Sequence, residues 1–158
     1  MISYVQGKLK DASQISAVIR STLVSTSSLQ FPECEIQRMF QINTEEVIAS
    51  QFPEYEFICA IDGQRMVGVG SVSREYVKRL FVLKEYQGRG IGSSILKRLL
   101  SLHDSKYPSD SLSLTGTGMA KRLYEASGFE TIEEIHNSTS GDLYVMKRAP
   151  NPSDSSSL

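Results

Sequence analysis

Val77-Lys78-Arg79-Leu80-Phe81-Val82-Leu83-Lys84-Glu85-Tyr86-Gln87-Gly88-Arg89-Gly90-Ile91-Gly92-Ser93-Ser94-Ile95-Leu96-Lys97-Arg98-Leu99-Leu100 changes its hydrophobic period halfway along. The first residues form an apolar run with β-branched members, which predicts a strand. Three glycines then crowd together at 88, 90 and 92, and Ile91, Ile95, Leu96, Leu99 and Leu100 recur at helical spacing. Glycines at alternate positions remove Cβ atoms, so backbone N–H groups can approach a bulky anion at the positive end of the following helix. A pyrophosphate meets that description. A Gly-x-Gly pair alone merely turns the chain; a strand before it and a helix after it supply the context for a ligand.

The spacing discriminates among phosphate binders. A P-loop closes on Gly-Lys-Ser/Thr, whereas Gly92 is followed by Ser93-Ser94. A dinucleotide fold places Gly-x-Gly-x-x-Gly in its first strand-helix unit, with an acidic residue about 20 residues on. Here the order is Gly88-x-Gly90-x-Gly92, in mid-chain. Gln87-Gly88-Arg89-Gly90-Ile91-Gly92 resembles Gln/Arg-x-x-Gly-x-Gly/Ala, the pyrophosphate loop of the GNAT superfamily of acyl-CoA-dependent N-acyltransferases. Downstream, Ala120-Lys121-Arg122-Leu123-Tyr124-Glu125-Ala126-Ser127-Gly128-Phe129 is similar to that family's Ala-x-x-Leu-Tyr-x-x-x-Gly-Phe. The similarity is sharp from about Ile61 to Phe129 and elsewhere is a pattern of elements.

Composition narrows the function classes. A chain of 158 residues suits one domain, expected over 1–148. The stretch 149–158, rich in Pro and Ser, has too little apolar surface to offset ordering entropy and predicts a disordered tail. No window approaches the ~18 apolar residues of a spanning helix, and Met1-Ile2-Ser3-Tyr4 lacks a basic segment leading into an apolar one, so the expected location is cytoplasmic. A net charge of −1, from 17 basic and 18 acidic residues fairly interspersed, gives no electrostatic footprint for nucleic acid or an anionic membrane. Cys34 and Cys59 stand apart, without the Cys/His clustering that holds a metal. The expected partner is a small molecule, and the expected state a monomer or homodimer.

Periodicity maps the rest. Ile2 to Gln6 alternates as a strand, Asp11-Ala12-Ser13 offers a cap, and Ile15, Val18, Ile19 and Leu23 share a helical face. Ser25 to Pro32 reads as a loop, followed by a helical pattern from about Glu35 to Gln51, interrupted near Asn43-Thr44. Glu56 to Ile61, the turn Asp62-Gly63-Gln64-Arg65 and Met66 to Val72 form a hairpin that meanders into the central strand. A helix over 91–102, a strand over Leu112–Thr115, a helix over Met119–Ser127 and a closing hairpin of Thr131–Ile135 with Asp142–Lys147 complete the order. This order is the one a GNAT fold requires. The expected architecture is α/β, with a mixed, mostly antiparallel sheet of six or seven strands, helices on both faces and a pantetheine cleft where the central strands splay.

The resemblance also assigns roles. Backbone groups of Leu80, Phe81 and Val82 would pair with the pantetheine arm of acetyl-CoA as an added strand would, and the loop from Gln87 through Gly88, Arg89, Gly90, Ile91, Gly92 and Ser93 would hold the pyrophosphate. Tyr124 would be the general acid, since a phenol near pKa ~10 can protonate a departing thiolate. The Val82 N–H would polarise the thioester carbonyl. The family often has Asn three residues before the helix alanine; this chain has Thr117. Many relatives place a carboxylate near the start of the central strand, where Tyr76 stands with Glu75 beside it, and alternation lets at most one of the two face the site. Glu75 is the candidate base, and relatives without a fixed base pass the amine proton to water. Glu33 or Glu35 would attract a cationic amine, with Tyr76 nearby. His103 reads as a dipole-favouring residue after a helix and His136 as an exposed hairpin-end residue. No metal is expected. Two alternatives stay open: a module that holds CoA without turnover, and a nucleotide-phosphate binder using Gly88 to Gly92.

Overall fold

The computed structural model describes residues 1–25, 33–118, 120–137 and 141–150. The loop expected after Ser25 and the tail beyond Pro150 lie outside these residues.

Among the described residues, seven strands fall into two sheets. Strands β1 (Ile2–Gln6), β2 (Glu56–Asp62), β3 (Arg65–Val72) and β4 (Val77–Val82) pair antiparallel in that order. Strands β5 (Leu112–Thr117), β6 (Glu130–Asn137) and β7 (Gly141–Arg148) form a second antiparallel sheet in the order β5-β7-β6. An isolated parallel bridge, Tyr76 to Ser113, connects the sheets, with Ser113 N–H donating to the Glu75 carbonyl at 2.9 Å.

Helix α1 (Ala12–Ser25) buries Ile15, Val18, Ile19 and Leu23, the stripe that 3.6-residue periodicity predicts, with Thr22 buried beside them. Asp11 departs from expectation. Its carboxylate accepts from Lys8 N–H at 2.8 Å and closes a 3-10 turn at Leu9–Asp11 that runs straight into α1. The expected interruption near Asn43-Thr44 divides α2 (Glu33–Gln41) from α3 (Glu45–Ser50), and Thr44 caps α3 by accepting from Val47 N–H. Helix α4 (Ile91–Lys106) outlasts its predicted end at 102 by a turn, and His103, expected after the helix, lies buried within it with its Nε2 2.8 Å from the Arg74 carbonyl. Helix α5 (Lys121–Ala126) is followed by Gly128 at φ +95°, the left-handed closure expected of glycine there.

Helix α4 sits close against β3 for a reason in the sequence. A Cβ on Gly70 would lie 2.8 Å from both Ile95 and Leu99, and one on Gly68 would lie 3.0 Å from Ile95. Both glycines thus act as a shallow track for the helix. The opposite face of β3 carries buried Val67 and Val69, and α1 covers it. Burying both faces of β3 fixes the start of α4 relative to β4.

Candidate active site

Strands β4 and β5 run parallel from the Tyr76–Ser113 bridge and pair no further. Between them opens a cleft of about 800 Å³, bounded by Val77 to Val82 on one side, Leu114 to Thr117 on the other, and Tyr124 of α5. Leu83 N–H donates to the Val67 carbonyl at 2.9 Å, so strand alternation turns the amide groups of Val82 away from β3 and toward the cleft. The Val82 carbonyl accepts from Gln87 Nε2 at 2.9 Å, which holds the loop against the strand end.

The glycine loop has the conformation its sequence demands. Gly88 and Gly90 adopt φ of +80° and +79°, and a Cβ at either would meet nothing within 4 Å. That combination leaves open space before the first turn of α4, whose leading N–H groups have no intrahelical partner. Gly92 is helical, and a Cβ there would make ordinary contacts with Val82 and Leu123. Arg89 is engaged within the loop: its guanidinium stacks over Tyr86 at 4.8 Å and donates to the Glu85 carbonyl at 3.0 Å. The β2–β3 turn braces this loop from outside, through Tyr86 Oη to Asp62 at 2.6 Å and Arg65 to Glu85 at 2.8 Å. Hydrogen bonding to Asp62 holds the Tyr86 phenol above its ordinary pKa.

Tyr124 lines the cleft and is 8% exposed, with its ring edge-on to Phe129 at 6.0 Å. Gly116 makes room for it: a Cβ there would lie 2.9 Å from Tyr124 Cε2. The hydroxyl has no hydrogen-bond partner among the described residues. Burial pushes its pKa up to about 12, so the neutral, proton-bearing form prevails at physiological pH. Thr117 lines the same cleft.

The expected acceptor residues are arranged otherwise. Tyr76 lines the cleft at 44% exposure, whereas Glu75 is exposed outside it. Glu33 and Glu35 do not line it; Glu35 holds Arg38 through contacts of 2.5 and 3.0 Å, and Arg38 is the member of that pair on the cleft wall. His136 is exposed and pairs with Asp142 at 3.0 Å. Among the described residues that line the cleft there is no Asp, Glu or His, and no described cluster of three such groups could hold a metal. Among the described residues no helix is long and apolar enough to cross a membrane.

A residue without a role in the motifs stands at the inner end of the cleft. Arg79 adopts φ +58°, the left-handed region, at a bulge where β3 and β4 shift register between Val69 and Ser71. That conformation costs a non-glycine residue roughly 1–2 kcal/mol. Its Nε donates to Asn43 Oδ1 at 2.7 Å, one terminal nitrogen to Gln51 Oε1 at 2.6 Å and the other to the Ile42 carbonyl at 3.3 Å. All three acceptors are neutral. Periodicity treats position 79 as one more strand residue, and only the bulge reveals the difference.

The comparisons with known proteins agree with this geometry. The family model "Acetyltransferase (GNAT) domain" matches residues 28–147. An uncharacterised N-acetyltransferase, YafP, of Escherichia coli (strain K12) is 27% identical over 124 residues, which cover 78% of each chain. In fold, the chain is similar to a GCN5-related N-acetyltransferase from Rhodopseudomonas palustris, with a TM-score of 0.79 at 16% identity over 93% of this chain and 94% of that one. PaiA N-acetyltransferase from Thermoplasma acidophilum, solved in complex with coenzyme A, gives 0.78 at 16% identity over 94% and 99%. The chain belongs to the GNAT acetyltransferase family, and the protein is an acyl-CoA-dependent N-acyltransferase.

Proposed function

We propose that this enzyme moves the acetyl group of acetyl-CoA directly to the primary amine of a small molecule, with Tyr124 as the general acid. The observation that carries the reading is a buried phenol, without a partner among the described residues, lining the same cleft as the free edge of β4. Acetyl-CoA supplies an activated thioester. The open backbone at Gly88 and Gly90 and the start of α4 suit its pyrophosphate, and the cleft-side edge of β4, with the Leu80 groups and the Val82 N–H turned outward while Phe81 faces β3, suits its pantetheine arm.

The residues then divide the work. The Val82 N–H, turned from β3, is available to stabilise negative charge on the carbonyl oxygen. Tyr124 Oη holds a proton for the departing sulfur. Lys78 and Arg79 on the acceptor side disfavour an ammonium and so favour the nucleophilic, neutral amine. With no Asp, Glu or His among the described lining residues, the amine proton passes to water.

The test is release of CoA thiol from acetyl-CoA across a panel of polyamines, amino acids, aminoglycosides and peptide N-termini. Acetyl transfer to at least one small amine is expected. Acetyl-CoA binding by calorimetry with no transfer to any member of the panel would instead establish a module that holds CoA without turnover.

A further inference from the structure

The charge on the acceptor side of the cleft is one-signed. Arg38, Lys78 and Arg79 line it, and no carboxylate does among the described residues. Arg38 is neutralised by Glu35. Lys78 rests over the rings of Tyr55 and Tyr76, at 5.6 and 5.7 Å from their centroids, without a described carboxylate partner. Arg79 is half-buried and bonded solely to amide oxygens and a carbonyl, so its charge is desolvated but not compensated. Burial accordingly lowers its pKa.

The cofactor's own phosphates do not account for this charge. They belong at the glycine loop and the start of α4, beyond Val82, whereas Lys78 and Arg79 stand near the joined end of β4. At roughly 3.3 Å per strand residue, Arg79 lies about 10 Å up the strand from Val82. A guanidinium has five N–H groups; the contacts with Asn43, Gln51 and Ile42 use one on each nitrogen, which leaves one N–H on each terminal nitrogen. That fork suits an oxyanion. The three amide-type contacts set its orientation, and Arg79 lines the cleft from a bulge where it adopts φ +58°.

We propose that the acceptor amine carries an anionic group, a carboxylate or a phosphate, and that Arg79 is the specificity residue that binds it, with Lys78 adding charge. This inference rests on the transferase reading above. The preferred substrate class is therefore the small amino acid or amino phosphate, and polycationic amines are disfavoured by the same field.

Matched pairs isolate the anion: each L-amino acid against its amide, β-alanine against β-alaninamide, and phosphoethanolamine against ethanolamine. The acid member should exceed its neutral partner in kcat/KM by about tenfold or more, as a charge-assisted contact implies. Arg79→Gly accepts the positive φ and removes the guanidinium, so the ratio of kcat/KM between the acid and its neutral partner should fall to about one while acetyl-CoA affinity persists. Arg79→Lys should restore part of the advantage. Should either variant fold poorly, the wild-type comparison decides alone, together with the thermal shift of the acetyl-CoA-bound enzyme on adding acid or amide. Transfer to amides or polyamines as fast as to acids would overturn the inference and leave the transferase reading standing. CoA release with no amine of any kind would instead show that the transferase reading itself had failed.

Discussion

Replacing Tyr124 with Phe removes one oxygen and leaves the ring in its slot between Gly116 and Phe129. Since that hydroxyl has no partner among the described residues, its loss leaves no orphaned polar group, and stability should change by less than about 1 kcal/mol. The catalytic cost should be larger. General acid catalysis contributes ~100-fold or more, equivalent to about 2.7 kcal/mol on the barrier. A phenol at about 12 is a weaker acid than a free thiol at ~8.5, but the desolvation that raises the phenol raises a thiolate held in the same cleft, so the gap narrows where transfer occurs. With Tyr124 raised to about 12, ionisation should not erode the rate until the pH approaches that value. Single-turnover quench kinetics at saturating acetyl-CoA is the assay, because it reports the chemical step before CoA leaves. Gly116→Ala is the companion variant: it keeps the oxygen but drives a methyl to 2.9 Å from the ring, displacing the hydroxyl by a few tenths of an ångström. Both variants should slow the chemical step without weakening cofactor binding. A Tyr124→Phe enzyme that transfers acetyl at the wild-type single-turnover rate would reduce the residue to packing and refute the reasoning.

Gly90→Asp should abolish acetyl-CoA binding by calorimetry with little loss of fold, because Asp tolerates φ near +79° and the space around the new Cβ is open; wild-type affinity would refute the loop assignment. Asp104→Asn should lower stability to urea by about 1 kcal/mol at pH 7, the scale of a partly exposed pair, since Asp104 accepts two bonds from Arg148 at 2.9 and 3.0 Å. Arg148 holds the Asp104 carboxyl below its ordinary pKa, so its contribution is full above ~3.9 and fades as pH falls through the depressed value. The difference from wild type should therefore close in acid, and a pH-independent difference would count against the pair.

The parts of the fold that were legible are those whose signals are local. The change of period between Val82 and Ile91, and the break at Asn43-Thr44, are written in adjacent residues and are recovered in β4, α4, α2 and α3. What escaped depends on partners distant in sequence. Asp11 reads as a cap for α1 until Lys8 is seen to claim it. His103 reads as a dipole-favouring residue just past a helix until the Arg74 carbonyl appears beside it. Arg79 meets Asn43 and Gln51 across gaps of 36 and 28 residues, so no window reading finds its role. For the site, Tyr124 and the glycine loop came from contiguous motifs. The expectation that Glu33 and Glu35 face the acceptor failed because charge alone does not say which way a short helix turns, and here Glu35 is spent on Arg38.

The lone bridge between Tyr76 and Ser113 makes the two sheets a pair of levers with a shared fulcrum. Behind that fulcrum sit two fastenings: Arg74 to Asp110 at 2.8 Å, and Arg148 to Asp104, where Arg148 is the register partner of Leu112 beside Ser113. One lever carries the glycine loop and Val82 at its far end, the other Thr117 and Tyr124. Rotation about the fulcrum breaks no ladder of hydrogen bonds, so the gap between Tyr124 and the Val82 amide, the proton donor and polarising group proposed above, is gauged from the rear. Residues that touch no ligand thus set the calibre of the jaw, and a change at Asp104 or Arg74 is felt as a misalignment at the opposite end of the lever.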